Sequence, residues 1–189
     1  THAVLVTDSR YRLEAEKEAI DFDIYTTKQG LVEELPGILK RMGAETLGFE
    51  EDHLTWGLHR ELTEALGALS PPISLTPLNG LVEDMREIKD DLEINALETS
   101  ADAMSEILDT VIRGLKHGLT EREVGWQIET LAREAGAESL AFPSIVASGP
   151  NSALPHAVPT DRPLQTNEPI ILDVGVKLDG YCSDMIRTV

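Results

Sequence analysis

Cysteine is almost absent from this 189-residue chain: a single one, Cys182, excludes an intrachain disulfide. Basic residues are also scarce. Lys and Arg number 16 against 34 Asp and Glu, for a formal net charge of −18. The imbalance is even, with 7 bases and 16 acids in residues 1–84 and 9 bases and 18 acids in residues 85–189. With no basic stripe or tail, nothing supports phosphate-backbone binding, so no nucleic-acid partner is expected. The acidity itself reads as solubility. No stretch of 18 apolar residues occurs, so no membrane-spanning helix is expected. No charged-then-apolar leader opens the sequence, which makes a cytoplasmic protein the default expectation. HExxH, GxSxG, P-loop and CxxC patterns are missing as well. The chain starts without Met at Thr1-His2 and stops at Val189 inside a strand-like run, so it reads as a piece of a longer protein.

What is present suffices for a core: 41% of residues are apolar and 26% charged. The first third alternates between extended and helical patterns. Ala3–Thr7, Asp23–Thr27, Thr46–Glu50 and, more weakly, Ile73–Leu78 read as strands. Residues 10–19 read as a short helix. Leu31, Leu35, Ile38 and Met42 share a helical face, although Pro36 argues for a helix starting near that residue. Leu58, Leu62 and Leu66 mark another helix over Thr55–Leu66. This alternation implies an α/β layer domain. Pro71, Pro72, Pro77 and Gly80 then crowd one stretch, placing a domain boundary near residue 85, with domains at 1–84 and 85–189.

The second part opens with two capped helices. Asp90 and Glu93 have capping-box spacing, followed by Ile94, Leu97, Ala101, Met104, Leu108, Val111 and Leu115 as one apolar stripe. Thr120 and Glu123 repeat the box before Val124, Ile128, Leu131 and Ala135, with Gly136 as the stop. Beyond Ser139 the pattern is strands and loops: Leu140–Ser148 reads extended, and Pro169–Val189 reads as a hairpin. An α+β arrangement is expected there.

The hairpin carries the chemistry. Asp179-Gly180 between alternating apolar runs is a two-residue turn signal. With the turn centred there, residue i faces residue 359 − i, so Asp173 faces Ile186 and Asp184 faces Gly175. Asp173 and Asp184 then lie on one face as diagonal neighbours, with Cα atoms about 7–8 Å apart. Aspartate is disfavoured inside strands, and two buried like charges are costly unless protonated or neutralised by a cation. A metal site and a solvated pair at strand ends are both open on this argument alone. His156 lies 17 residues before Asp173 in a polar, Pro-rich loop, where a solvated imidazole is the ordinary expectation. His2, His53, His59 and His117 have no companions in the sequence and read as surface residues. Cys182 reads as a packing residue.

VASGPNSALPHAVPTDRPL followed by ILDVGVKLDGYCSDMIRTV resembles the pita-bread metallopeptidases of the Xaa-Pro aminopeptidase and Xaa-Pro dipeptidase (prolidase) group. The Asp-to-Asp spacing of eleven and the His-to-Asp spacing of seventeen both match that group. LVTDSRYRLEAEKEA and LGFEEDHLTW are similar to its creatinase-like N-terminal domain, and MREIKDDLEINALETSADA and GLTEREVGWQIE to the opening helices of its catalytic domain. The resemblance implies that Asp173 is a terminal ligand of one metal ion, that Asp184 bridges two, and that His156 stabilises substrate or shuttles protons beside them. It further implies two divalent ions, Mn²⁺ by preference with Co²⁺ or Zn²⁺ as substitutes, and a hydroxide nucleophile. The implied substrate is a peptide with proline in second position, and the implied assembly is a homodimer. Ile186 stands where the group usually has Thr, which alters hydrogen bonding around the ligands. The group completes its site with a His and two Glu beyond the equivalent of Val189, so the chain is expected to hold two of five ligands and to be inactive alone. Two other readings share the fold: a peptidase-like binding module without catalysis, and a creatinase, which needs no metal. Both intact aspartates count against them.

Overall fold

The computed structural model describes residues 3–189, and the chain divides between Glu87 and Ile88 into two compact units. The first unit alternates strand and helix: β1 (Val4–Thr7), α1 (Arg12–Glu18), β2 (Asp23–Thr26), α2 (Leu31–Met42), β3 (Thr46–Glu50), α3 (Trp56–Gly67), β4 (Ser74–Leu78) and α4 (Leu81–Glu87). Strands β1 and β2 pair in parallel, as do β3 and β4. Parallel pairs need a crossover, and α1 and α3 supply it. Thr55 caps α3, its hydroxyl accepting from the Leu58 N–H.

Two details differ from the sequence expectation. Helix α2 starts at Leu31 and runs through Pro36 rather than beginning beside it. The proline removes one ladder hydrogen bond, and burial of Ile38 and Leu39 prevails over that loss. Its buried face is therefore Ile38 and Leu39; Leu31 and Met42 are both exposed. Leu39, Leu66 and Ile73 form the small core of this unit. Helix α4 was not anticipated. It buries no residue, although Leu81, Val82, Met85 and Ile88 recur at helical spacing; all four are exposed.

The second unit is two helices against short antiparallel strands. Helix α5 (Asp91–Gly114) has the expected capping box: Asp90 Oδ1 accepts from the Leu92 and Glu93 N–H groups at 2.9 Å, and Glu93 Oε2 accepts from the Asp90 N–H. Helix α6 (Glu121–Glu134) repeats it with Thr120 and Glu123. The α5 stripe is buried from Ser100 to Val111, with Ile107 added to it and Ile94 left exposed.

The strands are β5 (Ser139–Leu140), β6 (Ile145–Ser148), β7 (Ile170–Val174), β8 (Val176–Leu178), β9 (Tyr181–Cys182) and β10 (Met185–Thr188), with a 3₁₀ turn at Gly149–Ala153. The hairpin forms, but it is shared between two sheets: β10-β7-β6 and β5-β8-β9. The junction at Val176 is tied from two sides. Ser100 Oγ donates to the Val176 carbonyl at 3.1 Å, and the Val176 N–H donates to Ser183 Oγ at 3.1 Å. Leu172, Val174 and Val176 alternate with Asp173 and Gly175 and join Met104, Leu108, Val111, Val124 and Ile128 in one core. Leu172 has no exposed surface. Leu172→Ala should destabilise this unit by about 2–5 kcal/mol in urea denaturation, the usual cost of emptying a fully packed leucine site.

Candidate metal centre

The turn at Asp179-Gly180 has positive φ at both residues, 47° and 81°, as a type I′ hairpin requires. Near the turn Lys177 pairs with Cys182 and Leu178 with Tyr181; past the break Val174 pairs with Met185 and Asp173 with Ile186. Both ladders satisfy the single register 359 − i, so the sheet change inserts no extra residue. Asp173 is also held from its other side, opposite Ile145 of β6.

Gly175, opposite Asp184 in this register, has no room for a side chain. A Cβ there would lie 2.0 Å from the Ser183 carbonyl oxygen and 3.0 Å from Phe142 Cε1. The chain can therefore bring the segment before Asp184 against β7 only because residue 175 is glycine.

His156, Asp173 and Asp184 line one cavity of about 460 Å³, with Phe142, Val158 and Pro159 among its apolar walls. Asp173 Oδ1 is buried there without a hydrogen-bond partner. Burial, and next the charge of Asp184, push the Asp173 carboxyl above its ordinary range, while His156 pulls it down. An unsatisfied carboxylate oxygen, a second carboxylate and an imidazole in one cavity suit a divalent cation of the kind that prefers oxygen donors. The solvated alternative for both aspartates does not describe Asp173.

Other sequence readings fare differently. Cys182 is exposed, not packed: its place at the short edge strand β9 leaves nothing over it. His59 is half-buried rather than on the surface, stacked on Trp56 at 5.4 Å and tilted against Phe49 at 5.2 Å. His53 and His117 are exposed; His2 lies outside the described residues. His53 does have companions: Glu50, His53 and Glu83 bring one ligand atom each within 4.8 Å of one another, all on exposed residues. Ile186 is 56% exposed and offers no polar group beside Asp173.

Residues 1–88 match the creatinase/prolidase N-terminal domain, and residues 95–189 match metallopeptidase family M24. An uncharacterized peptidase of Bacillus subtilis is 33% identical over 187 residues, 99% of this chain and 52% of its own length. Among solved structures, an Xaa-Pro dipeptidase from Bacillus anthracis superposes with a TM-score of 0.90 at 35% identity, covering 100% of this chain and 52% of that one. An X-Pro aminopeptidase from Thermotoga maritima gives 0.86 at 30% identity over 98% of this chain and 52% of its own. The chain thus spans about half the length of these relatives. Its fold is a creatinase N-terminal domain followed by part of the M24 pita-bread domain, as the sequence resemblance implied.

The raised Asp173 carboxyl has a consequence for stability with a definite sign. A carboxyl whose folded pKa lies above the unfolded value of about 3.9 favours folding fully below that value and loses that contribution as pH rises through the folded pKa. In metal-free protein held in chelator, Asp173→Asn should therefore raise Tm at pH 7 and leave it nearly unchanged below about pH 4. Thermal melts across that range, with and without added Mn²⁺, measure this; in Mn²⁺ the wild type should gain and the variant should not.

Proposed function

The chain belongs to metallopeptidase family M24, and from that membership we propose that the protein of which it forms a part hydrolyses the peptide bond preceding proline. The observation that carries the reading is the convergence of His156, Asp173 and Asp184 on one cavity, with a carboxylate oxygen of Asp173 buried and unpartnered. Asp173 and Asp184 are the residues that would hold divalent ions, Mn²⁺ by preference for an oxygen-rich donor set, with Co²⁺ or Zn²⁺ able to substitute. When bound, such ions supply positive charge that polarises a carbonyl and lowers the pKa of a water.

The chain's own residues account for the rest. Asp184 would offer its carboxylate to the ions beside Asp173, so its loss should weaken metal binding. His156 stands at the cavity edge on a loop, where a ring nitrogen can hold or pass a proton to the substrate. Phe142, Val158 and Pro159 offer apolar walls that exclude water and accept an apolar substrate side chain or proline ring. The proposal includes a cytoplasmic homodimer as the working form. Among the described residues no helix is long and apolar enough to cross a membrane.

Two substitutions in the full-length protein test the assignment. Asp184→Asn should abolish hydrolysis of Xaa-Pro peptides and reduce bound metal, read by elemental analysis. His156→Ala should keep the metal and lower kcat by about 10²–10⁴-fold, the range for a lost general acid–base group. Xaa-Ala peptides assayed in parallel should be poor substrates; equal cleavage of both sets would remove the proline specificity, and full activity in Asp184→Asn would remove the metal role.

A further inference from the structure

Glu121 is the first residue of α6, and none of it is exposed. A carboxylate so placed is costly unless its oxygens are fully hydrogen-bonded. Here they are, by neutral donors from three separate places in the chain. Ser148, at the end of β6, donates its N–H at 2.7 Å and its hydroxyl at 2.9 Å to Oε1. Asn151, in the 3₁₀ turn, donates Nδ2–H to both oxygens, at 3.2 and 2.9 Å. Thr160 donates its N–H at 3.0 Å and its hydroxyl at 2.6 Å to Oε2. Burial by itself would raise this carboxyl, but the bonds from Thr160, Ser148 and Asn151 outweigh it and hold the group below its ordinary range, as an anion.

The position of these donors matters more than their number. Asn151 and Thr160 bracket His156, five residues before it and four after. The segment between them has little else to hold it: His156, Leu154 and Val158 are exposed, and Ala157 is its buried anchor. The α6 backbone reinforces the same clamp. The Glu121 N–H donates to the Arg162 carbonyl at 3.1 Å and the Arg122 N–H to the Thr160 carbonyl at 3.0 Å, satisfying helix-start donors that would otherwise be orphaned. Arg162 closes the network, donating to Ser148 Oγ at 2.6 Å and pairing with Glu168 at 2.5 Å. Glu121 does not line the cavity of Asp173 and Asp184. Its link to that cavity runs through the loop.

We propose that Glu121 is a positioning residue: from outside the cavity it gathers both ends of the 151–160 loop and so fixes His156 over Asp173 and Asp184. The catalytic half of this statement rests on the reading of His156 given above; the loop-fixing half does not.

Glu121→Gln is the informative variant. It keeps shape and size but replaces one acceptor oxygen with an NH₂ group, and both oxygens face N–H and O–H donors. Hydrogen exchange of the full-length variant should show faster exchange of the amides from 151 to 160, with α5 and β7 keeping their protection. In steady-state kinetics kcat should fall by about 10–100-fold, the range for groups that orient active-site residues, with bound metal unchanged. Placed in a His156→Ala background, Glu121→Gln should cause no further loss, because a residue acting through His156 has nothing left to position. Unchanged exchange in 151–160, or a full multiplicative loss in the double variant, would overturn the proposal. If the wild type fails to cleave Xaa-Pro peptides, the proposed activity falls, and the exchange result alone decides the role of Glu121. Should Glu121→Gln fail to fold, Thr160→Val removes one donor and leaves the carboxylate; it should loosen the same amides, and protection equal to wild type would count against the clamp.

Discussion

Everything at the candidate centre depends on the antiparallel pairing of two short strands that place like charges side by side. Asp173 lies within β7 and Asp184 just before β10; Asp173 is half-buried with one carboxylate oxygen buried and unpaired, while Asp184 is exposed. Nothing in the energetics of a bare fold favours that arrangement. The apolar neighbours Leu172, Val174 and Val176 supply the burial that holds the strands in register. The Asp179-Gly180 turn sets the register, and Gly175 lets the returning chain approach.

Much of this was legible in the sequence because it is local. A two-residue turn fixes register by counting, so the pairing of Asp173 with Ile186 followed from Asp179-Gly180 alone. Both capping boxes were readable for the same reason: donor and acceptor stand three residues apart. What escaped was what depends on distant partners or on none. Glu121 looks like any acidic residue in a helix first turn, favourable there on dipole grounds. Its partners lie 27, 30 and 39 residues away, and no spacing in the sequence connects them. Helix α4 does carry a helical spacing in Leu81, Val82 and Met85, but it directly follows the Pro- and Gly-rich stretch that reads as a domain boundary. Helix α2 crossed Pro36 because packing of Ile38 and Leu39 outweighed a local preference. Cys182 is exposed because its strand pairs on one side only, which residue pattern does not reveal.

The two halves of the proposed chemistry rest on different supports that meet at β6, which pairs with β7 opposite Asp173 and ends at Ser148, a donor to Glu121. Asp173 and Asp184 are placed by the strand ladders and an apolar core. His156 is placed by a carboxylate whose bonds are neutral, short and enclosed. Carboxylate cradles of this kind are rigid but intolerant, since loss of the acceptor leaves several donors stranded at once. Ladders tolerate exchange of one apolar residue for another as long as volume is kept. The same cavity therefore combines a forgiving wall and an unforgiving one.

That separation has an evolutionary consequence. Substitutions that retune or erase the aspartates act on strands that Glu121 does not touch, so the groove and its overhanging loop can outlive the loss of metal. A lineage that exchanges both acids for neutral residues would relieve the charge repulsion in the same step, keeping a stable, shaped cleft free to hold a peptide without cutting it. In the converse order, a lineage that loses the buried glutamate first loosens the loop while still carrying two adjacent charges. Divergence from a hydrolase toward a passive receptor thus has a preferred order of events, written into which residues share a hydrogen-bond network and which do not.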